Sequence, residues 1–133
     1  MHKLNPRTAA LLSAFGWAVG YLLAGKALAV LLPAAPGGAA RFFRVCLLAP
    51  LAEEGVFRGA VQRRAQPLGR GQAILLQAVL FALQHGSAAA MAYALVCGLG
   101  LGWLADRTGH LWPGMLLHLS LIHISEPTRL DVI

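Results

Sequence analysis

Apolar residues run along this chain in long blocks, separated by short polar or glycine- and proline-rich breaks. The first block, residues 8–32, is apolar apart from Lys26 and long enough to cross about 30 Å of hydrocarbon as a helix. It is too long for the core of a signal peptide, so an uncleaved span is expected. Lys26, near its far end, can snorkel to the interface. Residues 33–40, Pro-Ala-Ala-Pro-Gly-Gly-Ala-Ala, predict a turn-forming loop. A second helix is predicted from Arg41 and Arg44 to Gln62, and the break after it holds Arg63, Arg64, Pro67, Gly69 and Arg70. A third helix is predicted over residues 71–85. Gly86-Ser87 makes a tight connection to a fourth over residues 88–105. A polar turn over residues 106–110 leads to a fifth that begins at Leu111. The fold class this pattern predicts is all-α, a polytopic transmembrane bundle of about five helices with the last one truncated.

Three pairs of glycines stand four residues apart inside the blocks: Gly16/Gly20, Gly55/Gly59 and Gly98/Gly102. Such pairs let helix backbones approach closely in lipid. Gly55/Gly59 is the pair expected to press its helix against a neighbour. The run Gly98-Leu-Gly-Leu-Gly102 lacks the spacing and the preceding strand of a dinucleotide-binding loop.

Composition supports the membrane reading. Only 12% of the 133 residues are charged, against about 25% in soluble proteins, while 58% are hydrophobic. The formal net charge of +6 does not indicate nucleic acid, because the basic residues sit at block ends rather than in a patch. With the N-terminus in the cytoplasm, Lys3, Arg7, Arg63, Arg64, Arg70 and Arg107 all fall inside, and only Arg41 and Arg44 oppose. An integral protein of a bacterial plasma membrane, with its N-terminus cytoplasmic, is the expectation. Cys46 and Cys97 lie in separate apolar runs and are expected to be inert, buried thiols.

Three charges break the second block: Glu53, Glu54 and Arg58. A charge at bilayer depth costs roughly 2.5–3.5 kcal/mol on insertion scales, so such residues generally mark function. Glu54 and Arg58 are at i and i+4 and can pair on one helical face. Glu53 points about 100° away and has no partner in its own segment, which leaves it free for chemistry. His85 and His118 stand in two further apolar blocks. At 1.5 Å per residue, Glu53 lies about 15 Å in from Arg63 and His118 about 12 Å in from His110. His85 lies about 20 Å from Gly71, a match only if that helix tilts or starts late. His2, His110 and His123 fall at ends and receive no role.

A carboxylate and an imidazole can share a water and deprotonate it for attack on a carbonyl, while a second imidazole stabilises the oxyanion. The same Glu53, His85 and His118 are also a ligand set for catalytic Zn2+. No HExxH occurs, so a metal would be held from three helices.

On these residues the chain resembles the CAAX-protease and bacteriocin-processing (CPBP, Abi) family of intramembrane proteases, related to the Rce1-type prenyl-protein endopeptidases. That family carries EExxxR, then FxxxH, then HxxxN or HxxxD. Here the motifs are Glu53-Glu54-Gly-Val-Phe-Arg58, Phe81-Ala-Leu-Gln-His85 and a third beginning at His118. The resemblance covers Arg41 to His118. It implies that Glu53 is the general base, with His85 its partner on the water. Glu54 and Arg58 would orient the site, and His118 would bind the oxyanion. It implies a peptide or protein substrate at the bilayer and no nucleic acid. Both a metal-dependent and a metal-free glutamate mechanism are described for the family.

The third motif departs from the pattern, with Ile122 where the family has Asn or Asp. Residues 119–129, Leu-Ser-Leu-Ile-His-Ile-Ser-Glu-Pro-Thr-Arg, match a translated transposase-type sequencing adapter. The expected organisation is therefore a protease domain over residues 1–118, with core motifs over 41–118, and an artefactual tail over 119–133. Such a chain would lack one oxyanion residue and be inactive as written. Two other readings remain. One is a non-catalytic membrane partner, such as a bacteriocin-immunity or sorting protein. The other is a proton or ion carrier using Glu and His as relays.

Overall fold

The computed structural model describes residues 3–31 and 38–125. Among them, five long helical runs form one bundle, and no strand occurs. Helix α1 is Pro6–Leu31. Helix α2 is an unbroken succession of turns over residues 38–62. Helices α3, α4 and α5 are Arg70–Leu83, Ala88–Thr108 and Trp112–Ser125. A single 3-10 turn, Gln66–Leu68, joins α2 to α3. The part of the expected 33–40 loop that is described, residues 38–40, is already helical, and the rest lies outside the described residues.

Helix α2 is not a uniform α-helix. It reads α over Gly38–Phe43, π over Arg44–Leu48, α over Ala49–Glu53 and π again over Glu54–Gln62. Buried Pro50 accounts for the first π segment. Proline has no N–H to give to the helical ladder, and its ring crowds the carbonyl four residues back. The wider turn just before it accommodates both. The second π segment begins at Glu54, so the acidic pair straddles a change of helical pitch.

The central element is the Glu54–Gln62 segment of α2, which packs against α1, α3 and α4. Helix α5 packs on α4 and on the earlier turns of α2. Helix α1 makes contact through small side chains: Ala10, Ala14 and Ala18 form its buried stripe at four-residue spacing. Large apolar side chains such as Leu12, Leu23, Leu83 and Val96 point outward, whereas Glu54, Arg58, Gln62, Gln77 and His118 are buried. Polar groups inside and hydrocarbon outside is the arrangement for a lipid solvent, in which backbone polar groups are satisfied within helices. Two helices, α1 and α4, are long and apolar enough to cross a membrane by themselves.

Several expected boundaries move. Helix α3 starts at Arg70 and stops at Leu83, so His85 lies just beyond its end rather than in it. Helix α4 runs on through Thr108 and ends at Gly109, whose φ of 70° is the left-handed geometry that glycine tolerates. The polar turn thus shrinks from five residues to Gly109 and His110. The close approach expected at Gly55/Gly59 occurs instead at Gly98/Gly102. A Cβ on Gly98 would lie 3.2 Å from the Cα of Ala78, and one on Gly102 would run into Gln77. At Gly59 it would meet the tip of Leu111 at 3.3 Å and the Glu54 carbonyl at 3.9 Å, and at Gly16, Gly20 and Gly55 nothing within 4 Å. Cys46 and Cys97 are free but half-buried, not fully enclosed.

Candidate active site

The acidic pair enters the core because α2 carries it past the α5 helix at the depth of His118. Across that gap, His118 Nδ1 lies 2.8 Å from Glu54 Oε1. Its other nitrogen, Nε2, lies 3.6 Å from Glu53 Oε2. One imidazole therefore bridges two adjacent carboxylates from a residue 64 positions away. A carboxylate oxygen can only accept, so Nδ1 carries the hydrogen and donates to Glu54. That bond orients the ring and leaves Nε2 facing Glu53. The 3.6 Å separation is beyond a direct hydrogen bond but within ion-pair contact.

Glu54 is itself held by Arg58, whose Nη1 stands 3.1 Å from Oε1, with both side chains fully buried. The pair expected from the i, i+4 spacing is thus present. The guanidinium also lies over the Phe81 ring, 4.5 Å from its centroid. A desolvated cation gains about 2 kcal/mol from such a face. This gives a physical reason for phenylalanine at the first position of Phe81-Ala-Leu-Gln-His85. The same ring meets Phe57 at 5.4 Å, His85 at 5.1 Å and His118 at 5.9 Å, all edge to face. Phe81 is the apolar hub around which Arg58 and both histidines are arranged.

His85 is fixed from its own helix. Its backbone N–H bonds the carbonyl of Ala82, and its Nδ1 lies 3.0 Å from the carbonyl of Phe81. A carbonyl can only accept, so Nδ1 carries the hydrogen and Nε2 keeps a lone pair. His85, His118 and Arg58 all lie within electrostatic reach of Glu53. Among the described residues, no group of three or more His, Cys, Asp or Glu is arranged to hold a metal ion. The three-helix ligand set Glu53, His85 and His118 is not assembled in this geometry, and no step below runs through a metal.

Three polar residues of the site escaped the sequence pattern. Tyr21 of α1 lies within electrostatic reach of Glu53 and stacks edge-on against Phe57 at 5.7 Å. Gln62 Nε2 donates to the carbonyl of Gly102 at 2.9 Å, and Gln77 Nε2 to that of Gly98 at 2.7 Å. Gln77 is a single polar residue in an apolar run, and the available signal was the cost of burying it, the same signal that marked Glu53, whereas Gln62 is masked by the adjacent Arg63 and Arg64.

Comparison with known proteins adds one finding. The family model for Type II CAAX prenyl endopeptidase Rce1-like proteins matches residues 35–121. No curated protein and no solved structure matches the chain.

Proposed function

The chain belongs to the Rce1-like family of type II CAAX prenyl endopeptidases, and from that premise we propose that it hydrolyses a peptide bond at the membrane with water activated by Glu53. The observation that carries this reading is the contact of His118 with both carboxylates, 3.6 Å from Glu53 and 2.8 Å from Glu54. Motif spelling alone does not require that contact.

In the reading proposed here the imidazole of His118 acts with a hydrogen on each ring nitrogen, beside two carboxylates and one guanidinium. His118 then donates Nδ1–H to Glu54 and offers Nε2–H to the reacting centre. Glu53 remains an anion and serves as the general base. Water held by Glu53, with the lone pair of His85 as its second acceptor, attacks the carbonyl carbon. The C–O bond forms, the proton passes to Glu53, and the oxyanion takes the hydrogen bond from His118. The C–N bond then breaks as Glu53 returns its proton to the leaving amine. Arg58 and Glu54 touch no reacting atom in this scheme and act by holding His118.

The unit that performs this chemistry is residues 1–118, with the N-terminus in the cytoplasm, and residues 119–133 are foreign to it. Ile122, one turn beyond His118 on α5, replaces a polar group in the family motif and would leave the oxyanion with one donor fewer. The test therefore uses Ile122→Asn beside the chain as written. Cleavage of a prenylated C-terminal peptide in vesicles is expected to rise in Ile122→Asn. It should vanish, by about a thousandfold or more, when Glu53→Gln is added. Turnover that survives Glu53→Gln in the Ile122→Asn background overturns the mechanism.

A further inference from the structure

Glu54, Arg58 and Gln62 follow one another at four-residue spacing down the central segment of α2, and none is more than 3% exposed. Among the described residues, seven buried polar side-chain atoms have no hydrogen-bond partner. Five of them belong to this file: Glu54 Oε2, Gln62 Oε1, and Nε, Nη1 and Nη2 of Arg58. The approach of Arg58 Nη1 to Glu54 is an ion pair out of hydrogen-bonding line. Leaving a buried polar group unpaired costs about 1–3 kcal/mol, so five along one face is a large penalty unless they have partners.

The file opens at its far end into a cavity of about 200 Å3, lined by the polar residues Arg58, Gln62, Arg63, Gln66, Asp106 and His110 together with Ala105, Gly109 and Leu111. The cavity holds several waters at about 30 Å3 each, and a buried water typically makes three hydrogen bonds. Its rim is wet, because Arg63, Gln66 and His110 are exposed. At the inner end, Glu54 Oε2 lies against Gly114, 3.1 Å from where a Cβ would stand. That oxygen belongs to the carboxylate that holds His118.

We propose that this file is the wall of a hydrated passage, with ordered water bound along Glu54, Arg58 and Gln62 and exchanging with solvent at the Arg63–His110 end. The inference rests on the hydrolytic reading for its purpose: each turnover consumes one water in a region that lipid keeps dry, so the site needs a resupply route. It accounts for why the guanidinium of Arg58 is not closed off by Glu54 alone, and for the Gln62 Oε1 that has no partner while Nε2 bonds the Gly102 carbonyl. The Arg58 nitrogens and Gln62 Oε1 supply donors and an acceptor in alternation, which is what a water chain requires.

The passage is tested first on the unmodified chain. Water-edited solid-state NMR in bilayers, with labelled arginine, reads the transfer from water to each guanidinium, and the Arg58 signal is assigned by its loss in Arg58→Met. Transfer to Arg58 is expected to build up within about threefold of the exposed Arg63, because bound water one hydrogen bond away replaces bulk solvent. No transfer to Arg58 while Arg63 and Arg70 receive it overturns the proposal. The second arm is Gln62→Leu in the Ile122→Asn background, expected to lower kcat by about tenfold with KM unchanged. An unchanged kcat in folded Gln62→Leu also overturns it. Glu53→Gln separates the two readings: hydration of Arg58 should persist when turnover is gone. If turnover instead survives Glu53→Gln, the hydrolytic mechanism fails while the NMR result still decides the passage.

Discussion

At the scale of single residues, the site is a chain of dependence: Phe81 supports Arg58, Arg58 holds Glu54, and Glu54 orients His118. Removing one member of a buried ion pair strands its partner. Arg58→Met is therefore expected to lower stability by about 3–5 kcal/mol, read as thermal unfolding in micelles. Replacing both members with well-packed apolar residues removes the stranded charge. Glu54→Leu with Arg58→Met should melt close to the parent yet show no turnover in the Ile122→Asn background, because His118 has lost its orienting bond. A double variant as unstable as Arg58→Met alone would show that the pair matters for packing rather than charge. Much of this chain was readable from spacing: the Glu54–Arg58 pair follows from four residues on one helix, and Glu53's lack of a local partner from its 100° offset. The bond from His118 to Glu54 was not readable, because helix period says which residues share a face and nothing about which face meets another 64 residues away. Tyr21 was hidden for a different reason. Its ring counts as apolar in a hydropathy pattern, and its hydroxyl is the only polar atom it brings near Glu53.

At the scale of elements, glycine spacing found the right kind of contact and misplaced it. All three pairs satisfy the four-residue rule, yet only at Gly98 and Gly102 do both members face a neighbour closely enough to need glycine. The rule describes one helix, whereas the contact depends on what lies opposite. Opposite Gly98 is the Ala78 backbone, and opposite Gly102 are the amides of Gln62 and Gln77, which reach in to bond the two glycine carbonyls. Alanine at Gly98 or Gly102 is expected to cost about 1–3 kcal/mol by overpacking, with the larger loss at Gly102, where a Cβ displaces a bonded amide. Gly16→Ala meets open space and should be neutral or stabilising by up to about 1 kcal/mol through helix propensity. Parallel thermal melts of the three variants check the order, and a Gly16→Ala as damaging as Gly98→Ala would contradict it. The helix ends show the same division. Ser87 begins α4 by accepting from the Ala90 N–H, a signal present in the sequence. Helix α3 ends early because His85 gives its ring hydrogen to the Phe81 carbonyl, a choice that hydropathy does not record.

At the scale of the whole molecule, the helices are of unequal reach. At 1.5 Å per residue, the 26 residues of α1 extend about 39 Å and the 21 of α4 about 32 Å, whereas the 14 of α3 and of α5 extend only about 21 Å. The sequence reading placed five blocks in the right order but treated each as a span; block length alone could not show that α3 unwinds before His85. About 30 Å of hydrocarbon cannot be crossed by a 21 Å helix without thinning the bilayer or bringing polar backbone to membrane depth. Irregular backbone is tolerated there only when covered by protein or lining water. The turn over residues 84–87 has this problem, since it carries the buried, unpaired Gln84 Nε2 next to His85. The short helices thus bring the end of α3, with His85, and the middle of α5, with His118, toward Glu53, while long α1 and α4 fix the bundle in the membrane. A thinner bilayer should suit this shape. Reconstituted in vesicles of 14-carbon rather than 20-carbon phospholipids, the protein is expected to melt higher, by a fraction of a kcal/mol per Å of relieved mismatch. The Ile122→Asn chain should also turn over faster in the thin bilayer, because the 84–87 turn then lies nearer to water. Equal stability in both lipids would mean that the two long helices, not the two short ones, set the hydrophobic thickness of the molecule.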